Sequence, residues 1–261
     1  MRLNKLNCTL KAALSVRFLN LLAEPTINEF FRMNNCIGIR HEDKYEMERR
    51  APLTPKHVSK LVDEAGLNIM VQQSEKRIFS DSDFVNAGAV ITDSLEKCPV
   101  IFGVKEMPES FFEPSKTYIF FSHVIKGQSY NMPMLKKLME LDCNLIDYEK
   151  IEDELGRRLI FFGRYAGLAG MINTLWSYGK RLEVMGIENP FGRLKQAYHY
   201  NSLADAKDAI SDIGFEIATR GLPEKLHPLT IGITGYGNVS NGAREIAALL
   251  PIKEISPDEL L

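Results

Sequence analysis

No run of about 18 uncharged apolar residues occurs in this chain, so nothing in it reads as a membrane-spanning helix. Cysteine is sparse as well. Cys8, Cys36, Cys98 and Cys143 are widely and irregularly spaced with no C-x-x-C, which suggests neither a zinc site nor a disulfide framework and fits a reducing compartment. An excess of one charge is also missing: a formal net charge of -2 gives neither a basic footprint for nucleic acid nor a strong acidic field. The expectation is therefore no nucleic-acid partner and no membrane partner. There is no internal repeat and no low-complexity tract. What remains is an ordinary globular composition, 45% hydrophobic and 25% charged over 261 residues, enough for one large or two smaller domains with a sizeable core.

The N-terminal stretch stands apart. Arg2, Lys5, Lys11 and Arg17 precede the first acidic residue, Glu24, and residues 10–22 can wind into a basic amphipathic helix. That is how a mitochondrial presequence reads, here assigned to residues 1–35, which implies the mitochondrial matrix. A natural N-terminal helix or a gene-model extension explains the same residues.

Beyond it, four apolar runs stop on ionisable residues. Cys36-Ile37-Gly38-Ile39 runs into Arg40, Val100-Ile101-Phe102-Gly103-Val104 into Lys105, Tyr118-Ile119-Phe120-Phe121-Ser122 into His123, and Cys143-Asn144-Leu145-Ile146 into Asp147 and Glu149. Short apolar runs alternating with helical segments read as buried parallel strands, and ligands of open parallel sheets sit outside the carboxyl ends of the strands. If these strands are neighbours, Lys105, His123 and the acidic pair share one crevice.

The pattern predicts strands at 36–40, 67–72, 99–105, 117–123 and 143–147, with helices from Pro55 to Gly66 (capped by Thr54), at 81–87 and at 130–140. After an apolar segment at 158–162 come helices at 164–185 and 203–220, a strand at 229–234, a helix at 239–250 and a last strand at 252–255. The fold class is α/β: a parallel-sheet N-terminal domain over 36–162, then a linker helix and a truncated Rossmann-like dinucleotide-binding domain over 163–261. Gly163, Ala166, Gly167, Ala169 and Gly170 crowd the start of the linker helix, where small residues admit either a neighbouring helix or a ligand.

Each candidate residue has a functional and an ordinary explanation. Lys105 is either a proton-transfer group or a solvated strand-end lysine, and His123 either its partner or a satisfied core histidine. Their coincidence at equivalent ends of successive strands favours the functional pair. Arg49 and Arg50 offer planar forks for a carboxylate, unless the loop from Arg40 to Arg50 is merely a solvated surface. Gly235-x-Gly237 between a strand and a helix suits a pyrophosphate, but Ser240 replaces the third glycine of the fingerprint and a plain turn also accounts for it. His41, His57, His199 and His227 show no metal-ligand spacing, so no metal is expected.

Several stretches in series resemble the lysine-ketoglutarate reductase half of animal α-aminoadipic semialdehyde synthase, a family related to alanine dehydrogenase and the fungal saccharopine dehydrogenases. They are Gly38-Ile39-Arg40 with Glu48-Arg49-Arg50-Ala51-Pro52-Leu53-Thr54-Pro55, Gly103-Val104-Lys105, Phe120-Phe121-Ser122-His123-Val124-Ile125-Lys126, Leu145-Ile146-Asp147-Tyr148-Glu149-Lys150, Tyr165-Ala166-Gly167-Leu168-Ala169-Gly170-Met171-Ile172 and Gly235-Tyr236-Gly237-Asn238-Val239-Ser240-Asn241-Gly242-Ala243. The resemblance implies condensation of L-lysine with 2-oxoglutarate and reduction of the imine by NADPH, with NAD as the alternative cofactor. It implies catalytic roles for Lys105 and His123, substrate contacts from Lys44, Glu48, Arg50 and Glu149, and nucleotide contacts from Gly235, Gly237, Asn238, Val239 and Ser240. A homo-oligomer is compatible with it.

The family continues its nucleotide domain with further strands that this sequence does not contain. The expectation is accordingly a fragment or short isoform that holds NADPH weakly. A non-catalytic amino-acid-binding or regulatory protein of the same fold is the main alternative, and an alanine dehydrogenase or transhydrogenase-like domain is a poorer match.

Overall fold

The computed structural model describes residues 35–260, so the expected presequence lies almost wholly outside the described residues. The chain forms two compact units that meet in sequence between Arg158 and Leu159.

The first unit is built on six parallel strands: β1 (Cys36–Ile39), β2 (Asn68–Gln72), β3 (Val90–Thr92), β4 (Val100–Phe102), β5 (Thr117–Phe120) and β6 (Asn144–Asp147). Their order across the sheet is β3-β2-β1-β4-β5-β6. Because β1 lies between β2 and β4, the chain reverses its direction of winding there, and β1, β4, β5 and β6 stand side by side. Those are the four strands whose sequences end on ionisable groups.

Helices cover both faces. Side chains alternate along a strand, so Ile37 and Ile39 join Ile69, Val71, Val58 and Phe84 on one face. Cys36, Ile101, Tyr118, Phe120, Met134 and Leu138 fill the other. Each fully buried aliphatic or aromatic side chain there contributes roughly 2 kcal/mol of transfer free energy. Helix α1 (Pro55–Ala65) starts where expected: Thr54 accepts from the His57 amide, Pro55 occupies the first turn, and Gly66 closes the helix at φ 62°. Helix α2 (Asp81–Asn86) carries a capping box from Ser80 and Asp83, and α3 (Met132–Glu140) follows a short 3-10 turn.

The strands end earlier than their apolar runs. The expected strand 99–105 stops at Phe102 and 117–123 stops at Phe120, so Lys105 and His123 stand on the loops beyond. β3 was not anticipated, because three residues carry too little periodicity to be read as a strand.

The second unit is helical in its described residues. It contains α4 (Gly163–Val184), α5 (Leu203–Arg220), α6 (Asn238–Ala247) and the short α7 (Pro257–Leu260). Leu168, Ile172, Leu175, Phe191, Ile210, Ile213 and Ile246 form its core. The small residues of α4 admit a helix: a Cβ on Gly167 would meet Val239 O at 1.9 Å, and one on Gly242 would meet Arg164 O at 2.0 Å. The strands expected at 229–234 and 252–255 are absent. Leu229, Ile231 and Ile233 do alternate toward the core with exposed Thr230, Gly232 and Thr234 between them, as a strand would. A strand also requires a hydrogen-bonded neighbour, and no described segment supplies one.

Candidate active site

The loops that leave the carboxyl ends of β1, β4, β5 and β6 carry the ionisable residues, and a buried carboxylate ties three of these loops together. Glu106, the residue after Lys105, places Oε1 2.7 Å from His123 Nδ1 and Oε2 2.8 Å from Lys44 Nζ. A carboxylate only accepts hydrogen bonds, so it holds the proton on Nδ1 and leaves Nε2 of His123 as the working nitrogen. Burial alone would raise the Glu106 pKa, but the hydrogen bonds from Lys44 and His123 outweigh it and bring the value down to about 2. Lys44 responds in the opposite sense. Burial works to lower its pKa, and the bond to Glu106 reverses this and raises it.

His123 is held in a left-handed backbone conformation, φ 54°, by the turn around it. Ser122 Oγ donates to Asp147, Asn131 Nδ2 donates to Ser122 O at 3.0 Å, and Val124 N donates to Ser122 Oγ at 3.4 Å. Phe121 stacks on the imidazole at 6.2 Å, and Tyr148 meets Phe121 edge-on at 4.9 Å. Burial raises the Tyr148 pKa and keeps that phenol neutral.

Lys105 is half-buried and forms no ion pair with a described residue. Its backbone is fixed from below by Glu42. Glu42 Oε1 accepts from Val104 N at 2.7 Å and Oε2 from Lys105 N at 2.9 Å, replacing the ladder partner that β1 no longer provides once the chain leaves at Arg40. Burial raises the Glu42 pKa, partly offset by those two amides.

Glu48 and Arg50 form a fork. The Glu48 carboxylate takes Arg50 Nε at 2.7 Å and Nη2 at 2.5 Å. Burial would raise the Glu48 pKa; the Arg50 hydrogen bonds override it, the Lys105 charge adds to them, and the pKa is lowered. Arg50 is raised mainly by its hydrogen bond to Glu48. Glu149 Oε1 lies 3.2 Å from Lys126 Nζ and 3.3 Å from Arg158 Nη1, while its Oε2 is buried without a hydrogen-bond partner among the described residues.

The structure therefore brings Lys44 and His123 together through Glu106, sets Glu48 against Arg50, and holds Glu149 between two cations. Arg40 does not join them. It is buried against Phe111, 4.6 Å from the ring centroid, with Nη2 on Asp43, and works as a structural residue. Glu106 and Glu42 were not anticipated. Glu106 had a signal, an acidic residue beside the strand-end lysine, whereas the partners of Glu42 lie 62 and 63 positions away and leave no local trace.

In the second unit, Gly235 has φ 86°, and Gly237 caps α6 with no side chain on its amides. Cβ atoms at either glycine would meet nothing within 4 Å. Asn238 and Val239 are exposed, while Ser240 is buried and donates its hydroxyl to Gly237 O at 3.1 Å. An open turn followed by an uncapped ten-residue helix suits a phosphate group. Among the described residues no group of His, Cys, Asp and Glu could hold a metal ion, and no helix is long and apolar enough to cross a membrane.

The parallel sheet, with its charged carboxyl edge, is that of an α/β domain whose ligand site lies outside the carboxyl ends of its strands. Residues 38–169, about half of the sequence, match the model of the alanine dehydrogenase/PNT N-terminal domain, and the chain belongs to that family. It is 39% identical over 236 residues to the mitochondrial α-aminoadipic semialdehyde synthase of Bos taurus, covering 90% of this chain and 25% of that protein. The α-aminoadipic semialdehyde synthase of Arabidopsis thaliana is 42% identical over 232 residues, 87% of this chain and 22% of its own length. Saccharopine dehydrogenase [NAD(+), L-lysine-forming] of Yarrowia lipolytica is 38% identical over 139 residues, 51% of this chain and 37% of that one. The chain spans about a quarter of the length of the synthases it matches.

Proposed function

We propose that this chain provides the substrate site of a lysine-ketoglutarate reductase, at which the ε-amine of L-lysine condenses with 2-oxoglutarate and the imine is reduced to saccharopine. The observation that carries this reading is the placement, on the loops leaving neighbouring strands β4 and β5, of Lys105, an ammonium with no ion-pair partner among the described residues, and His123, an imidazole oriented through Nδ1 by Glu106. The similarity to the synthases and to saccharopine dehydrogenase supports the choice of substrates.

Imine formation needs a proton removed from the amine and a proton delivered to the departing hydroxyl. His123 Nε2 takes the first and returns it as water leaves, while Glu106 stabilises the imidazolium formed in between. The Lys105 ammonium donates to the oxygen that leaves the keto carbon and favours an electrophilic imine carbon. Arg50, pre-oriented by Glu48, grips a carboxylate of 2-oxoglutarate through its planar fork. The unpartnered Glu149 Oε2 accepts from an ammonium group of lysine. Lys44 keeps Glu106 ionised throughout.

NADPH supplies the hydride when bound, as the resemblance to the reductase family suggests; Gly235, Gly237, Asn238 and Val239 would hold its phosphates, with Ser240 supporting the turn. A mitochondrial matrix location accords with the names of the animal relatives.

The test is calorimetric titration of the full chain with L-lysine, 2-oxoglutarate, L-alanine and pyruvate, followed by NADPH and NADH oxidation with each substrate pair. Binding of 2-oxoglutarate that is lost in Arg50→Ala, with oxidation that is abolished by Lys105→Met and by His123→Gln, is expected. Turnover of pyruvate with ammonia but not of lysine with 2-oxoglutarate would replace this reading with an alanine dehydrogenase. Binding of both lysine-pathway substrates with no turnover by any nucleotide would indicate an amino-acid-binding protein.

A further inference from the structure

Two buried thiols lie together at the opposite end of the sheet from the site. Cys36 opens β1, Cys98 closes the loop before β4, and their sulfurs are 3.1 Å apart. That is closer than the roughly 3.5–4.0 Å at which even carbon atoms pack, and about 1 Å beyond a bonded pair. The two residues are 62 positions apart in sequence, so the approach is a tertiary contact between the first residue of β1 and the loop that leads into its neighbour β4.

The surroundings hold it in place. A Cβ on Gly38 would stand 3.2 Å from Cys98 Cβ and 3.1 Å from Leu95 Cδ1, so glycine at that position lets the Leu95–Cys98 loop settle on β1. Cys98 N donates to Leu95 O at 2.9 Å, and the buried Lys116 ammonium donates to Leu95 O at 3.2 Å and to Glu96 O at 2.7 Å. Cys143, the other described cysteine, is half-buried and hydrogen-bonds to Glu113 O, away from this pair.

We propose that Cys36 and Cys98 form a reversible intramolecular disulfide by exchange with a low-molecular-weight disulfide. In the first step the Cys36 thiolate attacks one sulfur of the reagent; a Cys36–reagent S–S bond forms, the reagent's own S–S bond breaks, and one small thiolate leaves. In the second the Cys98 thiolate attacks Cys36 Sγ, the Cys36–Cys98 bond forms and the second small thiolate leaves. Two protein thiols lose two electrons and two protons, the small disulfide gains them, and two small thiols result.

Cys36 is the entry point because it is the more exposed of the two, at 9% against 0% for Cys98. Burial and the neighbouring sulfur push the Cys98 thiol pKa well up, so exchange waits on local opening of the loop. Once Cys36 is modified, the adjacent Cys98 outcompetes a second small molecule by at least about tenfold through effective concentration. The crosslink sits about 13 Å from Arg40 at roughly 3.3 Å per residue, remote enough to leave substrate contacts in place.

The experiment incubates the full chain with excess oxidised glutathione for as long as the amide hydrogens of β1 take to exchange, which guarantees that the strand has opened. Denaturation, alkylation, digestion and mass spectrometry then assign every cysteine. A Cys36–Cys98 peptide that disappears with dithiothreitol, present in at least about tenfold excess over singly glutathionylated pair peptides, is expected. Recovery of both residues as alkylated thiols, or as separate glutathione adducts, would overturn the proposal, as would crosslinks of either to Cys8 or Cys143. The same assignment on a Cys8→Ser, Cys143→Ser chain should give the same peptide.

Discussion

The two units use glycine and charge in opposite ways. In the first, the sheet is fully paired in its interior, and charged groups collect where the strands stop: Glu106, Glu42 and Glu48 are each buried and each engaged by donors. In the second, the buried cluster is apolar, and glycine allows helix α4 to approach α6 so closely that side chains at Gly167 and Gly242 would collide with backbone. One unit devotes its irregular positions to buried, paired charges, the other to close packing. Polar groups that are buried and paired hold a geometry in place, whereas close helix contacts maximise apolar burial.

The largest test of this contrast is Gly167→Val. Its Cβ would meet Val239 O and Ala243 N, both backbone atoms that cannot move aside, so a loss of about 3 kcal/mol or more in the second unit is expected. Hydrogen exchange should show the amides of α4 and α6 losing protection while those of β1, β4 and β5 keep theirs. Equal loss in the sheet would mean that the division of labour is not real.

Glu106→Gln comes next, at about 2–4 kcal/mol, because it leaves the Lys44 ammonium without its buried counter-charge and weakens the acceptor that holds His123 Nδ1. The pH dependence has a definite sign. The Glu106 pKa is depressed in the fold from 4.5 to about 2, so its contribution is present above pH 4.5 and is lost as pH falls toward 2. Urea titrations of the parent and the variant should therefore converge on acidification through that window. A constant difference would show that the carboxylate is not the stabilising species.

Arg50→Lys probes function with little cost to the fold. The Glu48 carboxylate binds the guanidinium through two nitrogens, which a single ammonium cannot reproduce, and 2-oxoglutarate affinity should drop by about tenfold in calorimetry. Unchanged affinity would move the carboxylate site elsewhere. The smallest effect is expected at the exposed pair Lys60–Glu64 on α1, 3.8 Å apart: Lys60→Ala should leave the Tm within about 1 °C.

The site was partly legible before the fold was known. The placement of Lys105, His123 and Glu149 at the carboxyl ends of their strands could be read because an apolar strand that stops on a charge carries that charge to the sheet edge, a local signal. Arg40 gave the same signal and proved structural, since its guanidinium turns onto Phe111 and Asp43. The strand-like alternation at 229–234 was equally real, and still no strand forms among the described residues.

What the sequence alone determined is therefore what depends on neighbours along the chain: the cap at Thr54 and Pro55, the stop at Gly66 and the turn glycines. Tertiary structure decided what depends on neighbours across it. The order β1-β4-β5-β6 puts Lys105 and His123 on adjacent strand ends, Glu106 closes on His123 across 17 positions, Glu42 caps β4 across 62, and Cys98 reaches Cys36. Pairing and ionic contacts need a partner at about 3 Å, and no periodicity in one segment reports what another segment will bring to that distance.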